Sequence, residues 1–194
     1  NKIIYSSSIS VYGEVLGKTI YLEDSSLDPK SPYAKTKLMA ERLLIDQYEN
    51  KFWILRFAPV YSDDFTLNIK RRTQINNISY LVNKGSCKLS LCNIKNIKDL
   101  VVAISNNKVS SDIYNVSDPN PYSFLQLQNL NRNRIYLRIP KLIIKMTLAI
   151  GRILKNQFLI ENSIKLISDN IYPSDKISSQ ISLNNILNKK INVF

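Results

Sequence analysis

A tyrosine followed four positions later by a lysine can put a phenol and an ammonium on one face of a helix, one turn apart. The cation favours the phenolate form, and this makes a group with a reference pKa of about 10 usable as a general acid or base. The spacing occurs at Tyr33/Lys37, Tyr80/Lys84 and Tyr172/Lys176. With 11 tyrosines in 194 residues such matches arise by chance, so spacing alone selects none of them. Context selects the first. Ser31-Pro32-Tyr33 reads as a helix start, with serine accepting the first free N–H groups and proline in the first helical position. Upstream, the β-prone run Lys2 to Tyr5 empties into Ser6, Ser7 and Ser8, where a hydroxyl can hold a substrate oxygen and share its proton with the tyrosine.

The composition removes other chemistries. The chain has no histidine, so a Ser/His/Asp or Cys/His triad cannot be assembled. Cys87 and Cys92 are too few for structural zinc without histidine, and no metal is expected. They read as free thiols of a reduced, cytoplasmic protein. Of the four glycines, Gly13, Gly17, Gly85 and Gly151, no pair has the spacing of a dinucleotide-binding turn or a Walker loop. The chain opens at Asn1 with no signal or lipidation motif, and the expectation is that it begins midway through a larger fold. A net charge of +12 raises the question of nucleic acid. The basic residues are spread out, however, with no block longer than Lys70-Arg71-Arg72 and no RRM-type aromatic motif, so no nucleic-acid partner is expected.

The elements that must position these groups alternate. Strands are expected over Lys2 to Tyr5, Phe52 to Phe57, Ser90 to Ile94, Asp112 to Val116 and Ile135 to Ile139. Helices are expected from Ser31 to about Tyr48, over Ile97 to Ile104, from Ser123, and through most of the chain beyond Pro140. Such alternation points to an α/β fold with a parallel sheet. The acid-free stretch Pro140 to Asn156 is the most apolar, but Lys141, Lys145, Arg152 and Lys155 interrupt it too often for a membrane span. On a helical wheel those cations share one side and Leu142, Ile143, Met146, Ile150 and Ile153 lie toward the other. A domain helix with a solvated face is the expectation, without membrane association; a basic peripheral membrane protein is the alternative.

Three blocks carry a resemblance: SSSISVYG (Ser6 to Gly13), LEDSSLDPKSPYAKTKLMAE (Leu22 to Glu41) and LRFAPVYS (Leu55 to Ser62). In order and spacing they resemble the extended short-chain dehydrogenase/reductases, specifically the NAD-dependent epimerase/dehydratases of nucleotide sugars. KLSLCNIKNIKDLVVAI (Lys88 to Ile104) and DIYNVSD (Asp112 to Asp118) look like later blocks of that family. The resemblance implies the C-terminal part of a Rossmann-like parallel sheet plus a smaller, mostly helical substrate-binding region. Residues 1–62 and 90–107 would be the remaining part of the dinucleotide-binding domain, without its first strands and glycine-rich turn, and residues 63–89 and 108–194 the substrate-binding region.

It further implies a catalytic Ser8, Tyr33 and Lys37, with Tyr33 as phenolate taking a proton from a sugar hydroxyl while hydride passes to NAD (or NADP). Lys37 would hold the nicotinamide ribose, Ser8 would orient the reacting oxygen, and Phe57, Ala58 and Pro59 would pass beside the nicotinamide. Two departures stand out: an asparagine frequent in the family falls on Pro59, and an arginine falls on Leu89, leaving Lys88 as the adjacent substrate-binding candidate. A nucleotide sugar is the implied partner, and a homodimer is compatible with the family. Alone, the chain is expected to turn over little or nothing; a non-catalytic remnant or binding module of the same fold is the competing reading.

Overall fold

The computed structural model describes residues 2–17, 19–48, 52–130 and 136–187. A parallel sheet of three strands forms its centre, in the order β1 (Ile3–Ser8), β2 (Phe52–Phe57), β8 (Asp112–Val116). Ser8 lies beside Phe57, and Phe57 beside Val116, so the carboxyl ends of all three strands finish level. The strand β1 is longer than the apolar run Lys2 to Tyr5 suggests, because the parallel ladder with β2 carries the three serines as well.

Alternation along β2 divides the sheet's two faces. Trp53 and Leu55, with Tyr114 and Val116 of β8, pack against Leu100, Ala103 and Ile104 of α3 (Ile94–Ser105). Arg56 instead points to the side covered by α1 (Pro32–Gln47), where Glu41 meets it in a fully buried ion pair. Arg56 Nη2 donates to Glu41 Oε2 at 2.7 Å, Nε to the same carboxylate at 3.1 Å, and Nη1 to Tyr12 Oη at 2.9 Å and the Glu23 carbonyl at 3.0 Å. The Ser7 hydroxyl donates to Glu41 Oε1. Tyr12 passes the chain of bonds on to Asn115 Oδ1 at 2.7 Å. One guanidinium thus links β1, α1, β2, β8 and the loop between them.

The remaining elements lie outside the central sheet; most build a second lobe, while Ile177 and Cys92 pack in the central core. They are β3 (Val60–Tyr61), α2 (Leu67–Thr73), β4 (Gln74–Ile75), β5 (Ile78–Val82), β6 (Lys88–Leu89), β7 (Cys92–Asn93), β9 (Tyr122–Ser123), α4 (Phe124–Asn129), β10 (Leu137–Ile139), α5 (Lys141–Ile153), α6 (Gln157–Ile167) and α7 (Asp175–Ser178). The strand expected over Ser90 to Ile94 is cut to Cys92–Asn93, because the Asn93 side chain accepts from Lys95 N and starts α3 early. β7 pairs with β3 in a separate two-stranded piece and not with the central sheet. The expected strand over Ile135 to Ile139 is seen as Leu137–Ile139, its first residue lying outside the described residues; it joins β5 and β4 in the second lobe. Conversely, β8 comes from the stretch the sequence division gives to the substrate-binding region, yet it pairs with β2 in the central sheet.

Helix α5 also departs from expectation. Its buried seam is Ile144, Leu148 and Gly151, packed on Ile164 and Ile167 of α6. A Cβ at Gly151 would lie 3.0 Å from that of Leu159, so glycine permits the close crossing. Leu142, Ile143, Met146, Ile150 and Ile153 remain exposed. Both cysteines are free, with Cys92 buried in the central core.

At the junction of the lobes, Asp118 accepts hydrogen bonds from the Tyr61 and Tyr122 hydroxyls, Asn93 N and Asn96 Nδ2, at 2.6 to 2.9 Å. Burial nevertheless pushes its carboxyl above the usual carboxylate range. A folded pKa above the unfolded value stabilises the fold below the unfolded pKa, and that contribution fades as pH rises through the folded pKa. Urea melts of wild type and Asp118→Asn should therefore show the wild type's advantage narrowing from acid to neutral pH; a constant difference would contradict this.

The Arg56–Glu41 pair yields a second expectation. Glu41→Ala strands a buried cation and should cost about 3–5 kcal/mol, whereas Arg56→Met/Glu41→Met should recover much of the loss; chemical denaturation measures both.

Candidate active site

Beyond Ser8 the chain turns sharply through a 3-10 turn over Ile9–Tyr12, closed by Gly13 at φ +67°. Any side chain at Gly13 would run into the Asp28 carbonyl, so this approach admits only glycine. The Ser8 Oγ accepts from Ser10 N at 3.2 Å and from Ser10 Oγ at 3.0 Å. Both acceptor positions of the hydroxyl are thereby filled, and its own O–H remains to be donated.

Tyr33 is the second residue of α1, whose start is fixed by Pro32 and by Ser31 Oγ accepting from Ala34 N at 3.2 Å. Its ring is 57% exposed, and its hydroxyl has no hydrogen bond among the described residues. One turn on, Lys37 Nζ donates to the Ser6 carbonyl at 2.7 Å, lying 5.1 Å from the centre of the Tyr5 ring and 5.7 Å from that of Tyr33. That carbonyl belongs to β1, so the lysine joins helix to strand. Neither of the other Tyr/Lys pairs shares a helix. Tyr80 lies in β5 with Lys84 beyond its end, and Tyr172 precedes α7, where Lys176 pairs with Asp112 at 2.7 Å.

Ser8 and Tyr33 line one cleft of about 340 Å³ at the carboxyl ends of the parallel strands. Phe57, Ala58 and Pro59 form its floor where β2 ends, and Glu14, Asn68 of α2, Arg72 of α2 and Lys165 of α6 close the far side. Lys165 bridges to Glu14 at 2.8 Å, tying the serine loop to the second lobe. Lys88 is not among the lining residues: it sits in β6, its backbone N–H donating to Asp169 Oδ1 at 2.9 Å. Lys37 supports the cleft from behind the serines and is not part of its lining.

Arg72 escaped the sequence reading, which treated Lys70-Arg71-Arg72 only as a short basic run. It lines this cleft and also a neighbouring cavity of about 560 Å³, together with Pro59, Asn68 and Lys165. Among the described residues its guanidinium has no hydrogen bond and no ion pair, and desolvation draws its pKa down from the usual arginine value. A cation spaced like any surface arginine carries no signal of such an enclosure; only the folded cavity wall reveals it.

A parallel α/β sheet with a serine and a tyrosine facing one cleft at its carboxyl edge, and a lysine behind them, defines a Rossmann-like protein. The chain belongs to the NAD dependent epimerase/dehydratase family, whose model matches residues 1–117. Among solved structures it is similar to the UDP-glucuronic acid 4-epimerase of Bacillus cereus in complex with NAD, with a TM-score of 0.66 and 18% identity over 100% of this chain and 57% of that one. The UDP-Glc/GlcNAc 4-epimerase of Campylobacter jejuni gives 0.67 and 20%, over 100% and 62%. The ADP-L-glycero-D-manno-heptose-6-epimerase of Helicobacter pylori gives 0.66 and 14%, over 99% and 57%. The chain therefore spans about three fifths of the length of these proteins. A search of curated proteins finds no match.

The serine loop provides a direct test of this local geometry. Gly13→Ala should lower stability by about 1–2 kcal/mol or more, since it adds a left-handed backbone penalty to the collision with Asp28; thermal melting measures it, and an unchanged melting temperature would contradict the assigned turn.

Proposed function

We propose that this chain carries the catalytic half of an NAD-dependent (or NADP-dependent) epimerase/dehydratase acting on a nucleotide sugar. The supporting observation is the convergence of Ser8, Tyr33 and Lys37 at the end of one strand, with Ser8 holding only a donor free. Ser8 donates to the sugar oxygen that reacts. Tyr33 Oη takes the proton from that hydroxyl as the carbon beneath it is oxidised to a carbonyl, and returns it in the reverse step. Lys37 stands with its cationic nitrogen 5.7 Å from the centre of the Tyr33 ring.

The residues fit a dinucleotide. Lys37 spends one of its three N–H donors on Ser6, leaving two for ribose hydroxyls, and Phe57, Ala58 and Pro59 offer the flat apolar wall a nicotinamide needs. The bound nicotinamide supplies a hydride acceptor. On the substrate side Arg72, partly buried and without an ion pair among the described residues, takes the diphosphate of the nucleotide sugar. Lys88, the candidate suggested by the family pattern, lies outside both cavities, so the reading gives this role to α2.

The competing reading is a non-catalytic binding module of the same fold. Titration of NAD into the 194-residue chain separates the two states of affairs. Weak binding and little turnover are expected of the chain alone, and tight binding would remove the remnant reading.

In a preparation joined to βαβ units that carry a glycine-rich turn, Tyr33→Phe should lower turnover about 100-fold or more, with KM for the nucleotide sugar little changed. Arg72→Leu should raise KM instead. Unchanged turnover in Tyr33→Phe would defeat the proposal.

A further inference from the structure

The α5–α6 hairpin presents a surface that neither the cleft nor the core uses. Leu142, Met146, Ile150 and Ile153 follow one another at helical spacing on α5, and Ile153 and Phe158 are 79% and 74% exposed. Ile143 and Leu154 widen the same stripe. Six large apolar side chains in water on one helix mark an interaction surface, not scattered exposure. The helix already buries Ile144, Leu148 and Gly151 on α6, so the stripe has no further partner among the described residues.

Its chemistry narrows what covers it. At 100° per residue, Lys141, Lys145, Arg152 and Lys155 fall together along one side of α5, between the stripe's border and the buried seam. All four are exposed, none forms an ion pair among the described residues, and residues 140–156 contain no acid. Three of them, Lys141, Lys145 and Arg152, line a cavity of about 420 Å³ with Gly17 and Ser168. A second copy is a poor occupant, because each chain carries a net charge of +12 and two copies repel. An apolar stripe on one side of a helix, with unpaired cations on the other, instead matches a helix lying in the interface of an anionic bilayer.

We propose that α5 docks this protein flat on an anionic phospholipid bilayer. Leu142, Met146, Ile150 and Ile153 enter the headgroup–acyl boundary, Phe158 follows from the start of α6, and the four cations on the helix's other side add attraction to the anionic surface. No helix among the described residues is long and apolar enough to cross a membrane, so the mode is surface docking.

Flotation of the 194-residue chain with vesicles decides it. The chain should float with equimolar phosphatidylcholine and phosphatidylglycerol, stay behind with phosphatidylcholine alone, and detach as salt is raised. Ile153→Glu should weaken flotation by about tenfold or more, and Lys145→Ala or Arg152→Ala by about fivefold each. Far-UV circular dichroism checks each fold, and Met146→Gln, also at an exposed position, replaces Ile153→Glu should that variant unfold. Absence of flotation on anionic vesicles, or Ile153→Glu floating like wild type, would overturn the proposal. A concentration-dependent dimer abolished by Ile153→Glu, without lipid binding, would overturn it in favour of a second copy.

Discussion

A guanidinium buried between a helix and a sheet cannot be left unpaired, and that constraint organises the cleft side of this protein. Arg56 needs Glu41, which sits three turns into α1. Satisfying the pair sets the helix against β2 and draws Ser7 and Tyr12 into the same network, so the end of β1 is held to the carboxylate and the loop after it to the guanidinium. The side chains that face the cleft lie immediately beside these anchors: Ser8 follows Ser7, Phe57 follows Arg56, and Tyr33 stands two turns before Glu41 on its helix. The buried charge lies beneath the cleft's surface, and its cost in desolvation is offset by the Glu41 carboxylate, the Tyr12 hydroxyl and the Glu23 carbonyl instead of by water.

The cleft inherits its character from where the strands stop. Carboxyl ends of parallel strands leave a polar loop over an apolar sheet, and here the loop turns so tightly that Ser10 fills both acceptor positions on Ser8. Lys37 reaches back to the Ser6 carbonyl, which fixes the ammonium near the Tyr33 ring without using all its hydrogens. The opposite wall comes from distant parts of the chain, α2 and α6, held to the serine loop by the Glu14–Lys165 bridge. Two lobes thus share one cleft, and Arg72 stands at the point where it opens into the larger cavity.

The two helices of the C-terminal hairpin solve a packing problem in an uneven way. Gly151 lets α5 and α6 cross so closely that a narrow seam buries enough surface to hold them together. A narrow seam leaves the rest of the helix's apolar residues without a place in the core. Amphipathicity read from a wheel shows that a helix has an apolar side, but not which arc of it the neighbouring helix will cover.

The order and type of the central elements were legible in the sequence because local chemistry dictates them: serine and proline start α1, β-branched and aromatic residues build β2, and the blocks around Ser8, Tyr33 and Phe57 carry their family pattern in contiguous text. That Tyr33 and Lys37 share a helix was legible for the same reason, since capping is a local property. Tertiary structure alone decided the rest. The enclosure of Arg72, the removal of Lys88 from the cleft, the separation of β7 from the main sheet and the outward turn of Ile150 and Ile153 all depend on contacts between residues far apart in the chain. Burial is a property of the whole packing, and no short stretch of sequence encodes which of its side chains a remote element will cover.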